Sequence, residues 1–278
     1  MTPAVPAACA ARALTSAVEL DAALDAGLLT VVYQPVVDLR TGAVVAAESL
    51  VRLRVPGSDQ LITPDGFVPL AEATGRIGRI DEQVRELAVP QAAQWRALLP
   101  GRPFSVGVNV SAAGLHPRLA DHVAELSQRH GVPTNAIVVE LTETALSVPG
   151  QGHGAVLRAL SALDCNVTLD DFGTGYSALA DLRRFPVNGI KIDRTFVADL
   201  DSGPVAARLA GALVRFGLDL GVHVVAEGIE TPSQLAALQA LGCPFGQGYL
   251  IARPLPPAAF TTFLLSRGSV VPLQRSAP

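Results

Sequence analysis

The chain predicts an α/β barrel of eight strands alternating with helices, and three observations carry that expectation. Its 278 residues suit one such barrel, which needs about 250. Short apolar, β-branched runs alternate with helical stretches, as buried parallel strands joined by crossovers do. Between them no segment rich in Gly, Ser or Pro is long enough to separate two domains.

The elements follow in order. Residues 1–16 form an Ala- and Pro-rich arm expected to be flexible, and 17–29 an amphipathic helix. Strands are expected at 31–37, 44–51, 104–110, 136–141, 166–170, 188–192, 222–227 and 244–251. Asp38–Gly42 is too short for a crossover helix, so the first two strands should be antiparallel and the barrel irregular there. Val205, Leu209, Ala212, Leu213 and Phe216 keep one apolar face at helical spacing, as do Leu235, Leu238 and Leu241. The folded unit spans 17–266, and 267–278 is a tail.

Composition narrows the function classes. Hydrophobic residues make up 49% and charged residues 17%, against about 25% charged in an average soluble domain. Mean hydropathy is +0.37, yet no apolar run reaches the ~18 residues of a spanning helix, so the apolar content reads as interior. A net charge of −4 with no basic stripe argues against a DNA or RNA polymer as partner. Cys9, Cys165 and Cys243 lie far apart without a CxxC, which suits a reducing compartment, the cytoplasm. No basic segment precedes an apolar stretch at the start, so no signal peptide is expected.

Polar residues end the apolar runs: Glu48, Asn109, Glu140, Asp170 with Asp171, Lys191 and Glu227. In a parallel barrel such ends converge on the C-terminal face, where catalytic groups gather. Five carboxylates on one apolar mouth repel one another and call for cations. All-oxygen ligands with one neutral amide, Asn109, select hard ions such as Mg²⁺ or Mn²⁺ over Zn²⁺. The paired Asp170 and Asp171 suit two ions, the usual device for in-line phosphodiester hydrolysis. Lys191 is the one lysine among 21 basic residues, which points to a task that a planar guanidinium cannot perform. Such an ammonium can hold the attacking water and offset charge developing on phosphate.

Each residue taken singly has a plainer reading. A lone carboxylate at a strand end ordinarily caps a helix or pairs in a loop. Asp171 could open a turn, and Lys191 could pair with Asp193. His223 reads as a core or surface histidine, and Trp95 and Phe172 as packing. Joint occurrence on six strand ends favours the metal site.

The ordered motifs Tyr33–Asp38, Glu48–Arg52, Asn109–Ser111, Glu140–Glu143, Asp170–Ser177, Lys191–Asp193, Ala226–Glu230 and Gln247–Tyr249 resemble those of the bacterial EAL-domain cyclic-di-GMP phosphodiesterases over about residues 17–266. The resemblance implies a modified TIM barrel with an antiparallel first strand. It implies hydrolysis of cyclic di-GMP to linear pGpG with two divalent cations, Mg²⁺ or Mn²⁺. By similarity Glu48, Asn109, Glu140 and Asp170 would hold one ion. Asp170, Asp171 and Glu227 would hold the other, with Asp170 bridging. Lys191 would contact the attacking water, and Gln247 would lie near that centre. Gln34 and Arg52 would contact the substrate's guanine and phosphate, a forked arginine suiting two phosphate oxygens. Glu143 would hold the loop 171–177, which bends near a homodimer interface. The signature triplet is Glu-Ser-Leu rather than Glu-Ala-Leu, but Ser49 faces away from Glu48 in a strand. Pro244 stands where the family often has Asp. A cyclase or sensory domain has no room in 278 residues, so regulation is expected from partners, dimerisation or expression. Two other functions would use the same fold. A catalytically silent cyclic-di-GMP receptor would have lost metal or water residues, and an interaction scaffold would have lost Gln34 and Arg52.

Overall fold

Nine strands are hydrogen-bonded into one sheet, and eight of them close on themselves as a barrel. The structure is a computed structural model. It describes residues 13–146, 152–174, 182, 184–201 and 203–266. The strands are β1 (Leu29–Asp38), β2 (Val44–Arg54), β3 (Leu61–Ile62), β4 (Ser105–Asn109), β5 (Ile137–Thr142), β6 (Asn166–Phe172), β7 (Gly189–Ile192), β8 (His223–Ala226) and β9 (Phe245–Gly246). The ring runs β1-β9-β8-β7-β6-β5-β4-β2 and closes through the β1–β2 pair. β1 is antiparallel to both neighbours, and the other ring pairs are parallel. The short Asp38–Gly42 connection dictates this, because only a hairpin fits so few residues. Asp38 Oδ1 accepts from the Arg40 and Thr41 amides at 2.9 and 2.7 Å and shapes that turn.

The helices are α1 (Ala17–Asp25), α2 (Val68–Ala73), α3 (Ile77–Leu98), α4 (Arg118–His130), α5 (Glu143–Leu146), α6 (His153–Ala162), α7 (Arg194–Ala198), α8 (Pro204–Asp219), α9 (Pro232–Ala240) and α10 (Pro257–Ser266). Their ends carry the expected chemistry. Ser16 caps α1 by accepting from the Glu19 amide. Thr231 and Gln234 form a reciprocal capping box on α9, with Pro232 in its first turn. Gly131 ends α4 at φ 65°, a conformation that glycine adopts without penalty.

Two expected boundaries change, and one strand is added. The first helix stops at Asp25 rather than 29, because Gly27 turns left-handed at φ 64° and Leu29 already pairs with Leu53 in the sheet. The eighth apolar run, 244–251, supplies only two strand residues, Phe245 and Gly246. Beyond them the Leu250 amide bonds back to Ile229 and the Ile251 amide to Gly248, so the chain turns across the barrel mouth. β3 was not expected; it adds two residues to the edge of β2.

The core lies inside the barrel and between the barrel wall and its helices. On one outer flank Trp95 of α3 meets Tyr33, Phe104 and Phe260, edge-on to Tyr33 with centroids 4.7 Å apart. Phe172 stacks on Phe216 at 5.9 Å. Both rings pack, as their plainer reading had it. His223 is exposed at the start of β8, beside Phe245. Among the described residues no helix is long and apolar enough to cross a membrane.

Candidate active site

Parallel pairing sets the site. Asn109 lies in register with Glu140, and Asp170 with Thr142, two residues beyond Glu140, so successive strands deliver their polar residues to the same end of the barrel. Glu48 enters from β2 opposite Gly107 of β4. That glycine has a task, since a Cβ there would lie 2.1 Å from Glu140 Oε1. Its missing side chain is the hollow in which the Glu140 carboxylate sits. No motif in the sequence marks Gly107, although a glycine inside an apolar strand signals a close approach.

Adjacent side chains in a regular strand face opposite sides. Asp170 and Asp171 escape this rule. The β6–β7 register shifts between Leu169 and Phe172, and Asp171 takes a left-handed φ of 54°. The Asp171 amide donates to Asp170 Oδ1 at 3.0 Å. In consequence Asp170, Asp171 and Glu227 offer oxygens within 4.8 Å of one another. Glu48, Glu140 and Asp170 do the same, and Asp170 belongs to both groups.

Lys191 rises from β7 into the middle of these acids. Its Nζ lies 2.7 Å from Glu227, 3.1 Å from Glu140, 3.2 Å from Asp170 and 3.4 Å from Glu48. It does not pair with Asp193, which caps α7 by accepting from the Thr195 amide at 3.0 Å. Burial pushes the Lys191 ammonium down, but the four carboxylates outweigh it and hold the pKa well above the usual lysine range. One ammonium cannot balance the acids around it. Burial, followed by the charges of Glu48 and Asp170, pushes Glu140 well above the ordinary carboxylate range despite Lys191. Burial and the same kind of repulsion push Glu227 up to about 8. Burial also raises Asp171, with Asp170 and Asp193 adding to it. Glu48 alone goes the other way. Burial would raise it, but Lys191, Gln247 and Asn109 all favour its charged form.

Gln247 reaches the site although its strand is short. Its amide bonds to Ala226 O at 2.9 Å, and its carbonyl accepts from Ile229 at 3.1 Å. Gly248 makes that route possible, since a Cβ there would lie 2.2 Å from the Ile229 backbone. The Gln247 Nε2 donates to Glu48 Oε2 at 2.5 Å and to Glu227 Oε1 at 3.0 Å. Its Oε1 is buried and has no hydrogen-bond partner among the described residues. Asn109 donates to Glu48 Oε1 at 3.3 Å. The donor set therefore fits hard cations on three counts: surplus buried negative charge, oxygen ligands throughout, and a buried amide oxygen with no partner. These acidic clusters can hold a metal ion.

Gln34 and Arg52 stand at the same end of the barrel. Gln34 is in register with Glu48 and donates to Ala252 O at 3.2 Å, while Arg52 donates to Val51 O at 2.7 Å. A cavity of about 540 Å³ opens beside the cluster, between Leu50, Pro64, Val68, Ile77, Asn109 and Glu140. α5 begins at Glu143, whose side chain lies outside the described residues, as do residues 175–177 of the expected loop.

Comparison with known proteins identifies the family and the fold. Residues 17–254 match the EAL domain family. A Pseudomonas aeruginosa protein named cyclic di-GMP phosphodiesterase PA2567 is 38% identical over 234 residues, 84% of this chain. The chain spans 39% of that relative's length and 31% of the length of cyclic di-GMP phosphodiesterase NbdA of the same organism, which is also 38% identical. Among solved structures, the PaMucR phosphodiesterase in its c-di-GMP complex superimposes with a TM-score of 0.80 at 36% identity. That match covers 87% of this chain and 98% of the other.

Proposed function

We propose, from the premise that the chain belongs to the EAL domain family, that it hydrolyses cyclic di-GMP to linear pGpG. The observation that carries this reading is the meeting of five carboxylates, Lys191, Asn109 and Gln247 at the mouth of the barrel.

Water attacks one phosphorus, the P–O3′ bond breaks, and the ring opens to a 5′-phosphate and a free 3′-hydroxyl. Glu48, Asn109, Glu140 and Asp170 would hold one divalent cation, Mg²⁺ or Mn²⁺, and Asp170, Asp171 and Glu227 a second. Bound there, two such ions polarise the phosphoryl oxygens and make a nucleophile available at neutral pH. Lys191 stays charged, so it cannot serve as the base. Its N–H groups orient the attacking water and stabilise charge building on phosphate. Gln247 fixes Glu48 and Glu227 relative to each other through its two donated bonds. Gln34 and Arg52 would contact guanine and phosphate. Glu143 is assigned, on the family resemblance, to hold the loop that follows Asp171. A homodimer in the cytoplasm completes the reading, and light scattering on the purified protein tests the dimer.

The decisive assay incubates purified protein with cyclic di-GMP and Mn²⁺, with a parallel EDTA arm, and separates nucleotides by chromatography. The expected result is pGpG in the first arm and none in the second. Cyclic di-GMP bound but uncut in both arms would replace the enzyme with a silent receptor.

A further inference from the structure

On α3, lining the same cavity as Asn109 and Glu140, lies another buried carboxylate, which the mechanism does not use. Asp81, in the first turns of α3, is 5% exposed. Its Oδ2 accepts from both the amide and the hydroxyl of Ser111, at 2.9 and 2.6 Å. Ser111 follows Asn109 by two residues and caps the 3-10 turn Ala112–Gly114 through its hydroxyl, at 3.1 Å from the Gly114 amide. The fit is close, since a Cβ on Gly114 would lie 2.3 Å from Asp81 Oδ2. One turn further along α3 the buried Arg85 turns its Nε to His122 Nδ1 of α4 at 3.2 Å, and His122 in turn meets Glu86 at 3.0 Å. Burial pushes the Asp81 carboxyl up, while the two Ser111 donors and the Arg85 charge pull it back.

We propose that Asp81 is a positioning residue for the amide of Asn109. Asn109 is the last residue of β4, and beyond it the chain must turn out of the sheet. The backbone on its strand side is held by the register with Glu140, and the Val110 amide bonds to Glu140 O at 2.9 Å. On the exit side, Ser111 anchored on α3 fixes where the chain goes. With both sides held, the Asn109 side chain keeps its donor on Glu48 and presents its oxygen to a cation. Asn is the one neutral ligand proposed for the first ion, so no charge attraction of its own draws it into place. Its orientation has to come from the protein. This inference rests on the proposed metal-dependent function.

The test uses the whole chain and measures three quantities: Mn²⁺ affinity by calorimetry without nucleotide, melting temperature in EDTA, and kcat and KM for cyclic di-GMP. Outer-shell residues of metal sites typically contribute about 10- to 100-fold in metal affinity or activity. Asp81→Asn should weaken Mn²⁺ binding by that factor and lower kcat more than it raises KM. Ser111→Ala, which keeps the amide bond, should shift both in the same direction by less. Combining the two should cost less than their sum, as residues of one network do. Ser111→Thr should retain wild-type Mn²⁺ affinity. An Asp81→Asn protein that melts lower but binds Mn²⁺ like the wild type would make Asp81 a packing residue and overturn the inference. Should that variant fail to fold, an unchanged Mn²⁺ affinity in Ser111→Ala overturns it equally. Wild-type protein that neither binds Mn²⁺ nor forms pGpG would instead overturn the proposed function, and this inference with it.

Discussion

Lys191 at the barrel mouth and Trp95 on the aromatic flank are both buried, and the two regions owe their order to opposite causes. Trp95 is fully buried on the flank, with Tyr33, Phe104 and Phe260 around it and its Nε1 donating to Thr261 at 2.8 Å. Every group there gains from being where it is, through apolar burial, edge-to-face contact and a satisfied N–H. Lys191 is 2% exposed at the mouth, but the four acids beside it repel one another, and burial together with that repulsion pushes Glu140 and Glu227 up in pKa. The surrounding sheet imposes that arrangement. Burial alone therefore does not mark a site, whereas buried charge that the chain cannot balance by itself does.

Substitutions at three positions sharpen the contrast, in falling order of their effect on turnover. Asp170→Asn takes away the carboxylate common to both acidic groups. It should abolish pGpG formation while the protein still folds and binds cyclic di-GMP, as followed by chromatography and calorimetry. Wild-type hydrolysis by this variant would remove Asp170 from the site.

Lys191→Ala should lower kcat by about 10²–10³, the usual cost of one electrostatic contact to a transition state, with KM little changed. Lys191→Arg should recover little of this, because a planar guanidinium does not fit among acids 2.7–3.4 Å from the ammonium. Near-normal turnover by Lys191→Arg would reduce Lys191 to a counter-charge.

Trp95→Ala should invert the pattern. It should cost about 3–5 kcal/mol of stability in denaturant titrations, as large-to-small changes of buried aromatics do. The folded fraction should keep its kcat and its Mn²⁺ affinity. A fall in kcat beyond the loss of folded protein would show that the flank and the mouth are coupled.

The mouth was readable in the sequence to the extent that its residues end apolar runs. Glu48, Asn109, Glu140, Asp170, Lys191 and Glu227 interrupt β-branched stretches, and a polar residue there has few structural reasons to be buried. Gln247 was found through the family motif, because the apolar run around it overstates the last strand. Gly107 lies in no motif, and Gly248 is marked only by its place in Gln247–Tyr249. A glycine shows no chemistry of its own, and its value here is the room it leaves for Glu140 and for the Ile229 backbone. Asp81 is unmarked for another reason. It lies on a helix 30 residues before its partner Ser111, among other acids of α3, and nothing local distinguishes it from a solvated one.

The sequence by itself determined the alternation of strands and helices, the hairpin at Asp38–Gly42 and the identity of the acids. These depend on short-range periodicity, chain length and residue type. Only the tertiary structure decided that Lys191 would meet carboxylates carried by four other strands and their exits, that Asp171 would turn left-handed to join Asp170, and that Gln247 would bridge Glu48 and Glu227, 199 and 20 residues away. Those distances are set by closure of the ring and by one register shift in β6. Both are long-range consequences of strand pairing, in which a displacement of one residue turns a side chain from the barrel interior to its outer face.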